Sequence, residues 1–186
     1  MTSNPDSQEL KKYETSVMRR DGSLQRLRPI RPDDEKKWLD LVHRLSPHTI
    51  YLRFHYEMKN IPQEDIERFC SVDYDDTFAL IAVVGEGDDE QIIGISRYAR
   101  FTNKDSAEVA LTVEDPYQGQ GIGTHLLIEL GRIAREKGIR NLVAYVLAVN
   151  ANAREVFKRS GFPVTEKYDN DVYTLILDIR EPPQLS

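Results

Sequence analysis

Residues 114–124 read Glu114-Asp115-Pro116-Tyr117-Gln118-Gly119-Gln120-Gly121-Ile122-Gly123-Thr124, with three glycines at alternate positions. Upstream, Val109, Leu111 and Val113 alternate with Glu108, Ala110 and Thr112, which is the period of a strand. Downstream, Leu126, Leu127, Leu130, Ile133 and Ala134 recur at helical spacing, and Lys137-Gly138 supply the cation and glycine that suit a helix C-terminus. A strand that passes through a glycine loop into a helix restricts the chain to an arrangement of mixed α and β layers. It also makes an anion site, because glycine lets a ligand approach the backbone and the first helical N–H groups have no partners.

Two common phosphate loops are excluded by what is missing. A P-loop needs Lys followed by Ser or Thr at the helix start, whereas Gly123 is followed by Thr124 and His125. A dinucleotide fold needs Gly-x-Gly-x-x-Gly and an acid at the end of the next strand, but the glycines fall at 119, 121 and 123 and residues 142–149 contain no acid.

The rest of the chain supplies a scaffold. Residues 17–30, with Asp21-Gly22 between two apolar-containing stretches, form a first strand or hairpin; Pro32, Asp33 and Asp34 start a helix that turns Trp38, Leu41, Val42 and Leu45 inward; Ser46-Pro47 ends it. Residues 49–56 and a helix over residues 62–71 follow, and these two segments bracket an acceptor pocket. Residues 78–84 and 91–101 read as an antiparallel pair, and residues 142–149, apolar on both faces, as a covered parallel strand. A short helix after Asn150 presents Ala153, Val156 and Phe157, and a hairpin over residues 164–179 turns through Asp169-Asn170. This order gives an α/β (α+β) domain around a mostly antiparallel sheet with one parallel pair. Residues 1–16 are expected to be a flexible arm with a helical turn near Leu10, residues 17–180 one domain, and residues 181–186 a loose tail.

With 186 residues and 40% hydrophobic content, one core suffices. A net charge of −6 without a basic stripe argues against a nucleic-acid surface. No signal peptide or long apolar run is evident, so neither membrane nor export is expected. The single cysteine, Cys70, follows Ile66 and Phe69 at helical spacing and reads as a buried small hydrophobe in a reducing cytoplasm. His43, His48, His55 and His125 lack zinc-ligand spacing, so no metal is expected; His48 and His55 are weak acceptor-contact candidates.

The loop resembles the pyrophosphate loop of the GNAT superfamily of acyl-CoA-dependent N-acyltransferases, whose pattern Gln/Arg-x-x-Gly-x-Gly/Ala reads here as Gln118-Gly119-Gln120-Gly121-Ile122-Gly123. A second segment continues the resemblance: Asn150-Ala151-Asn152-Ala153, then Phe157, then Gly161-Phe162. Residues 45–54 and Glu108-Val109-Ala110-Leu111-Thr112-Val113 are similar to segments of bacterial Pat-type protein-lysine acetyltransferases. The resemblance implies a GNAT-like sheet, mostly antiparallel and twisted, with helices on both faces and a parallel pair near Leu111 and Leu147 that splays to admit pantetheine. Acetyl-CoA is the implied donor. Gln118 through Thr124 would hold its pyrophosphate, the main chain of Leu111, Thr112 and Val113 its pantetheine, and Asn150, Ala153 and Phe157 the opposite side. With no partner domain evident, a stand-alone catalytic domain is expected, as monomer or homodimer.

Acyl transfer from a thioester to an amine needs a neutral amine, and a free alkylamine is about 99.9% protonated at pH 7. A base is therefore required. By the resemblance it is Glu108; from alternation alone Glu108 equally reads as a solvated strand carboxylate. Many GNAT enzymes place a Tyr four residues before the Gly-Phe pair to protonate the leaving thiolate, and here that position holds Phe157. Ser160, Tyr145 and Tyr173 are weak substitutes. The preferred account needs no acid, because a thiol of pKa near 8.5 leaves tolerably as thiolate beside a helix N-terminus. Asn150 is also suited to capping the helix that follows, and Lys158 and Arg159 either meet a ribose phosphate or form a solvated face. For the acceptor, a protein lysine leads; a small amine such as a polyamine or amino acid, a non-catalytic acyl-CoA sensor and a cofactor-free assembly module are the alternatives.

Overall fold

The computed structural model describes residues 10–19, 22–54, 61–102 and 105–184. Eight strands form one sheet: β1 (Thr15–Met18), β2 (Leu24–Pro29), β3 (Thr77–Val84), β4 (Gln91–Arg100), β5 (Ser106–Val113), β6 (Asn141–Leu147), β7 (Val164–Asp169) and β8 (Val172–Asp178). They lie in the order β1-β2-β3-β4-β5-β6-β8-β7. Every neighbouring pair is antiparallel except β5 and β6.

Among the described residues, five helices cover the sheet: α1 (Glu35–Arg44), α2 (Pro47–Phe54), α3 (Gln63–Cys70), α4 (Ile122–Glu136) and α5 (Ala151–Arg159). The alternation along β4 divides them. Gly94 faces Leu126 and Ile122 of α4, and Ser96 Oγ donates to Leu126 O at 3.2 Å. Ile95 and Arg97 point the other way, into a wall shared with Trp38, Leu41 and Phe69 from α1 and α3. Helices therefore lie on both faces, as expected. Phe78, Tyr98, Leu126 and Leu127 are fully buried, each stabilising the fold by about 1.5–3 kcal/mol relative to exposure.

α1 starts where the proline and acids indicate. A 3-10 turn over Pro32–Asp34 precedes it, and Asp34 accepts from the Arg31 N–H at 2.9 Å. Asp34 also takes both ends of the Arg28 guanidinium at 2.7 Å, while Glu90 accepts from Arg28 and from Lys37. This buried network ties β2 and α1 to the turn before β4.

Leu10 and Tyr13 are buried, with the Tyr13 ring edge-on to Phe78 at 5.3 Å; residues 1–9 lie outside the described residues. A pair three apart on one helical turn suffices to anchor this segment, although it is polar overall. The tail is tied as far as Gln184, whose N–H donates to Gly161 O at 2.9 Å. The last hairpin turns through Asn170 and Asp171, both at positive φ (47° and 63°), one residue later than expected, because Asp169 still pairs with Val172. Asp21 and His55, assigned above to a turn and an acceptor contact, lie outside the described residues.

The parallel pairing is short. Ser106, Ala107 and Glu108 pair with Asn141, Leu142 and Val143, and the register ends there, although β5 runs on to Val113 and β6 to Leu147. The two strands form a V whose arms open toward the glycine loop.

Candidate active site

A cleft of about 380 Å³ occupies the open end of this V. One wall is the loop and the first turn of α4. Gly119 and Gly121 adopt φ of 74° and 88°, the left-handed region that a side chain strains to enter. Gly121 begins α4 with no side-chain cap, and the first amide bonded inside the helix is that of His125, to Gly121 O at 3.0 Å. The amides of Ile122, Gly123 and Thr124 are therefore free to meet an anion. Gly123 is helical; a Cβ there would touch Leu111, Val113 and Val156 at 3.5–3.6 Å, so its role is close packing.

The second wall is the free edge of β5. Glu114 N–H donates to Ile93 O, toward β4; by alternation the amide of Thr112 also points to β4, and those of Leu111 and Val113 point into the gap. These are the backbone donors an extended amide chain needs. Across the V stands α5. Asn150 caps it, accepting from Ala153 N–H at 3.1 Å, while lining the cleft with Asn152, Ala153 and Val156.

The third wall is α2, held in place by contacts that sequence reasoning missed. Asp115 accepts from the Ser46 amide at 2.9 Å, from Ser46 Oγ at 2.7 Å and from Thr49 Oγ1 at 2.7 Å. Burial pushes its carboxyl up, but the bonds from Ser46 and Thr49 outweigh that and hold it below its ordinary value. Next to it, Arg44 grips Glu114 with two bonds of 3.0 and 3.1 Å and reaches Ile92 O at 2.8 Å. Gln118 Nε2 donates to Val113 O at 3.0 Å and Thr49 Oγ1 at 3.3 Å. Ser46-Pro47 was legible as the end of the preceding helix; its partner Asp115, 69 positions away, was not.

The expected site residues are largely brought together. Leu111, Thr112, Val113, Gln118, Gly119, Gly121, Ile122, Gly123, Thr124, Asn150 and Ala153 line the cleft. Two do not. The Gln120 side chain turns back to Pro116 O at 2.9 Å, and Phe157 is 2% exposed in the core, its place in the wall taken by Val156. A helix shows the cleft one stripe and the core another, and Phe157 lies on the core stripe. Arg159 lines the cleft, whereas Lys158 pairs with Glu166 at 3.5 Å.

Glu108 is exposed at the vertex of the V, on the same sheet face as Ala110 and Thr112. Of the substitute acids, Ser160 is buried with Oγ donating to Phe157 O at 2.6 Å, and the Tyr173 ring is covered by the Arg154 guanidinium at 3.6 Å. Tyr145 is 49% exposed, on the Glu108 face. His48 lines the cleft and His125 does not; burial pushes the His125 imidazole below its ordinary value. Cys70 is fully buried, which pushes its thiol up to about 12 and makes it inert. Among the described residues no group of His, Cys, Asp and Glu is placed to hold a metal, and no helix is long and apolar enough to cross a membrane.

A splayed parallel pair with free strand amides, opening onto a helix N-terminus presented by left-handed glycines, suits a long ligand with amides at one end and a pyrophosphate at the other. That is the shape of an acyl-CoA, and the class is an acyl-CoA-dependent acyltransferase. Residues 40–162 match the acetyltransferase (GNAT) family, and the chain belongs to it. It is 32% identical over 142 residues to an acetyltransferase of Pseudomonas aeruginosa, covering 76% of each chain. It is 35% identical over 146 residues to the acetyltransferase Pat of Mycolicibacterium smegmatis, covering 78% of this chain and 43% of that relative, so it spans less than half of that relative's length. The crystal structure of the GNAT domain of S. lividans PAT superposes with a TM-score of 0.82 at 31% identity, covering 90% of this chain and 97% of that one. The protein is a GNAT N-acetyltransferase with acetyl-CoA as acyl donor, as the motifs implied.

Proposed function

We propose that the enzyme acetylates a lysine side chain of a protein, with Glu108 as general base. The observation that carries this reading is the position of Glu108 in the last pair of the parallel strands, where the gap that admits pantetheine closes. A ligand whose pyrophosphate rests on the α4 amides and whose arm follows the Leu111 and Val113 amides brings its thioester toward that vertex. The thioester supplies the acetyl group, the neutral amine attacks its carbonyl carbon, and CoA leaves as thiolate. Glu108 takes the ammonium proton before attack, directly or through a water, and the second N–H proton, lost as the adduct collapses, passes to solvent. An exposed base suits an acceptor presented on another protein's surface, and the resemblance of residues 45–54 and 108–113 to Pat-type protein-lysine acetyltransferases supports the lysine assignment. The single buried cysteine fits work in a reducing cytoplasm.

A panel of lysine proteins and small amines, read by thiol release from acetyl-CoA, tests the reading. Turnover with lysine proteins that exceeds turnover with free polyamines and amino acids supports it. Turnover confined to a small amine would replace the lysine assignment, and acetyl-CoA binding without turnover on any amine would leave a sensor.

A further inference from the structure

Beside the cleft lies a second, smaller chamber of about 20 Å³, lined by Trp38, Leu45, Phe54, Phe69 and Ile95 together with Arg97. Arg53 and Thr112 line both spaces, so the chamber adjoins the cleft. It holds one group of about the size of a water or slightly larger.

Two features of its wall do not belong to an apolar cavity. Arg97 is half-buried in mid-strand, with its guanidinium 4.9 Å from the centre of the Phe69 ring. Among the described residues no carboxylate forms an ion pair with it and no acceptor takes a hydrogen bond from it. Arg28, by contrast, is matched by Asp34 and Glu90, and Arg44 by Glu114. The second feature is Thr112 Oγ1, which is buried without a hydrogen-bond partner.

The register brings these together. Arg97 lies opposite Ala110, with Glu108 on one diagonal and Thr112 on the other, all on one sheet face. Burial, with Arg68 nearby, pushes the Arg97 guanidinium below its ordinary value, while Glu108 and Cys70 act in the opposite direction. A half-buried cation without a partner is costly, and an entering anion removes that cost. A planar carboxylate matches the guanidinium fork and can also accept from a hydroxyl. A polyamine would meet two arginines.

We infer that this chamber binds a carboxylate carried by one of the two reactants, held by Arg97 and the Thr112 hydroxyl against the Phe69 ring. The inference rests on Glu108 marking the reacting amine. The carboxylate comes with the acceptor, as an acidic side chain beside the target lysine or as the carboxyl of a free amino acid, or it ends the acyl chain.

Three matched pairs separate these sources: a lysine peptide with a neighbouring Glu or Gln, an amino acid or its amide, and succinyl-CoA or acetyl-CoA with one neutral amine. In at least one pair the carboxylate member is expected to have a kcat/KM about ten- to a hundredfold higher in the wild type. Arg97→Gln is expected to lose that preference while binding CoA with unchanged affinity, and Arg97→Lys to retain part of it. Equal values in all three pairs, or a preference that survives Arg97→Gln, would overturn the inference. The same acceptor pairs titrated by calorimetry into CoA-saturated protein, and the two acyl-CoAs into free protein, read the preference without turnover. An inactive protein, which would defeat the catalytic reading, therefore still decides this one. If Arg97→Gln does not fold, Arg97→Lys and Thr112→Val decide it by the same comparison.

Discussion

Glu108 and Val143 are the last register partners of β5 and β6; beyond them the two strands share no further pair. The carboxylate on that pair therefore stands where a ligand entering between the strands must stop. Glu108→Gln is expected to lower turnover at least tenfold, with acetyl-CoA affinity preserved, the usual size of acid–base catalysis being about 10²–10⁴. Single-turnover kinetics beside calorimetry checks both halves. Unchanged turnover would remove Glu108 from the base role.

Phe157 lies in the core and faces away from the cleft. Phe157→Tyr is expected to change the rate by less than about tenfold and to lower stability by about 1–3 kcal/mol, the cost of burying a hydroxyl without a partner. Steady-state rates and urea unfolding measure the two effects. A hundredfold gain in rate would mean that a thiolate acid had been restored and would sink the acid-free account.

At Gly121 a Cβ meets no atom closer than 3.8 Å, so strain at its φ of 88° is the whole effect of Gly121→Ala. A loss of about 1–2 kcal/mol is expected, divided between folding and acetyl-CoA binding. Gly131→Ala acts differently, because its Cβ would come within 2.8 Å of the Phe162 ring. Overpacking there should cost about 1–3 kcal/mol of stability and leave the affinity of the folded enzyme for acetyl-CoA unchanged. Thermal unfolding and calorimetry on both variants separate the two cases.

Glu90 supplies the pH dependence. Burial pushes its carboxyl up, but the hydrogen bonds from Arg28 and Lys37 prevail and lower it from 4.5 to about 2. A carboxyl depressed on folding contributes stability that is complete above its unfolded value and lost as pH falls through the folded one. The wild type should therefore lose stability between about pH 4.5 and 2, and Glu90→Gln should be less stable at pH 7 with a flatter acid limb. Urea midpoints across that range test it; parallel limbs would contradict the assignment.

Asp115 joins the glycine loop to α2 through Ser46 and Thr49. Asp115→Ala should raise KM for both substrates, because the loop and the acceptor wall share this fastening. A change in acetyl-CoA affinity alone, with the acceptor KM unaltered, would show that α2 keeps its place without it.

Local patterns in the sequence determined the elements and the donor site. Alternation at residues 108–113, the glycines at 119, 121 and 123, and the Asn150 cap each act through backbone conformations and periods that a few consecutive residues set. Tertiary structure decided what depends on distant partners. Asp115 meets Ser46 across 69 positions; Phe157, not Val156, turns to the core; Leu10 and Tyr13 find Phe78; and the β5–β6 pairing stops at Glu108. No local pattern encodes these contacts, because each is settled by which surfaces the packed sheet and helices bring together. Arg97 shows the difference most plainly: in the sequence it is one strand arginine among many, and only the fold leaves it without a carboxylate beside the cleft.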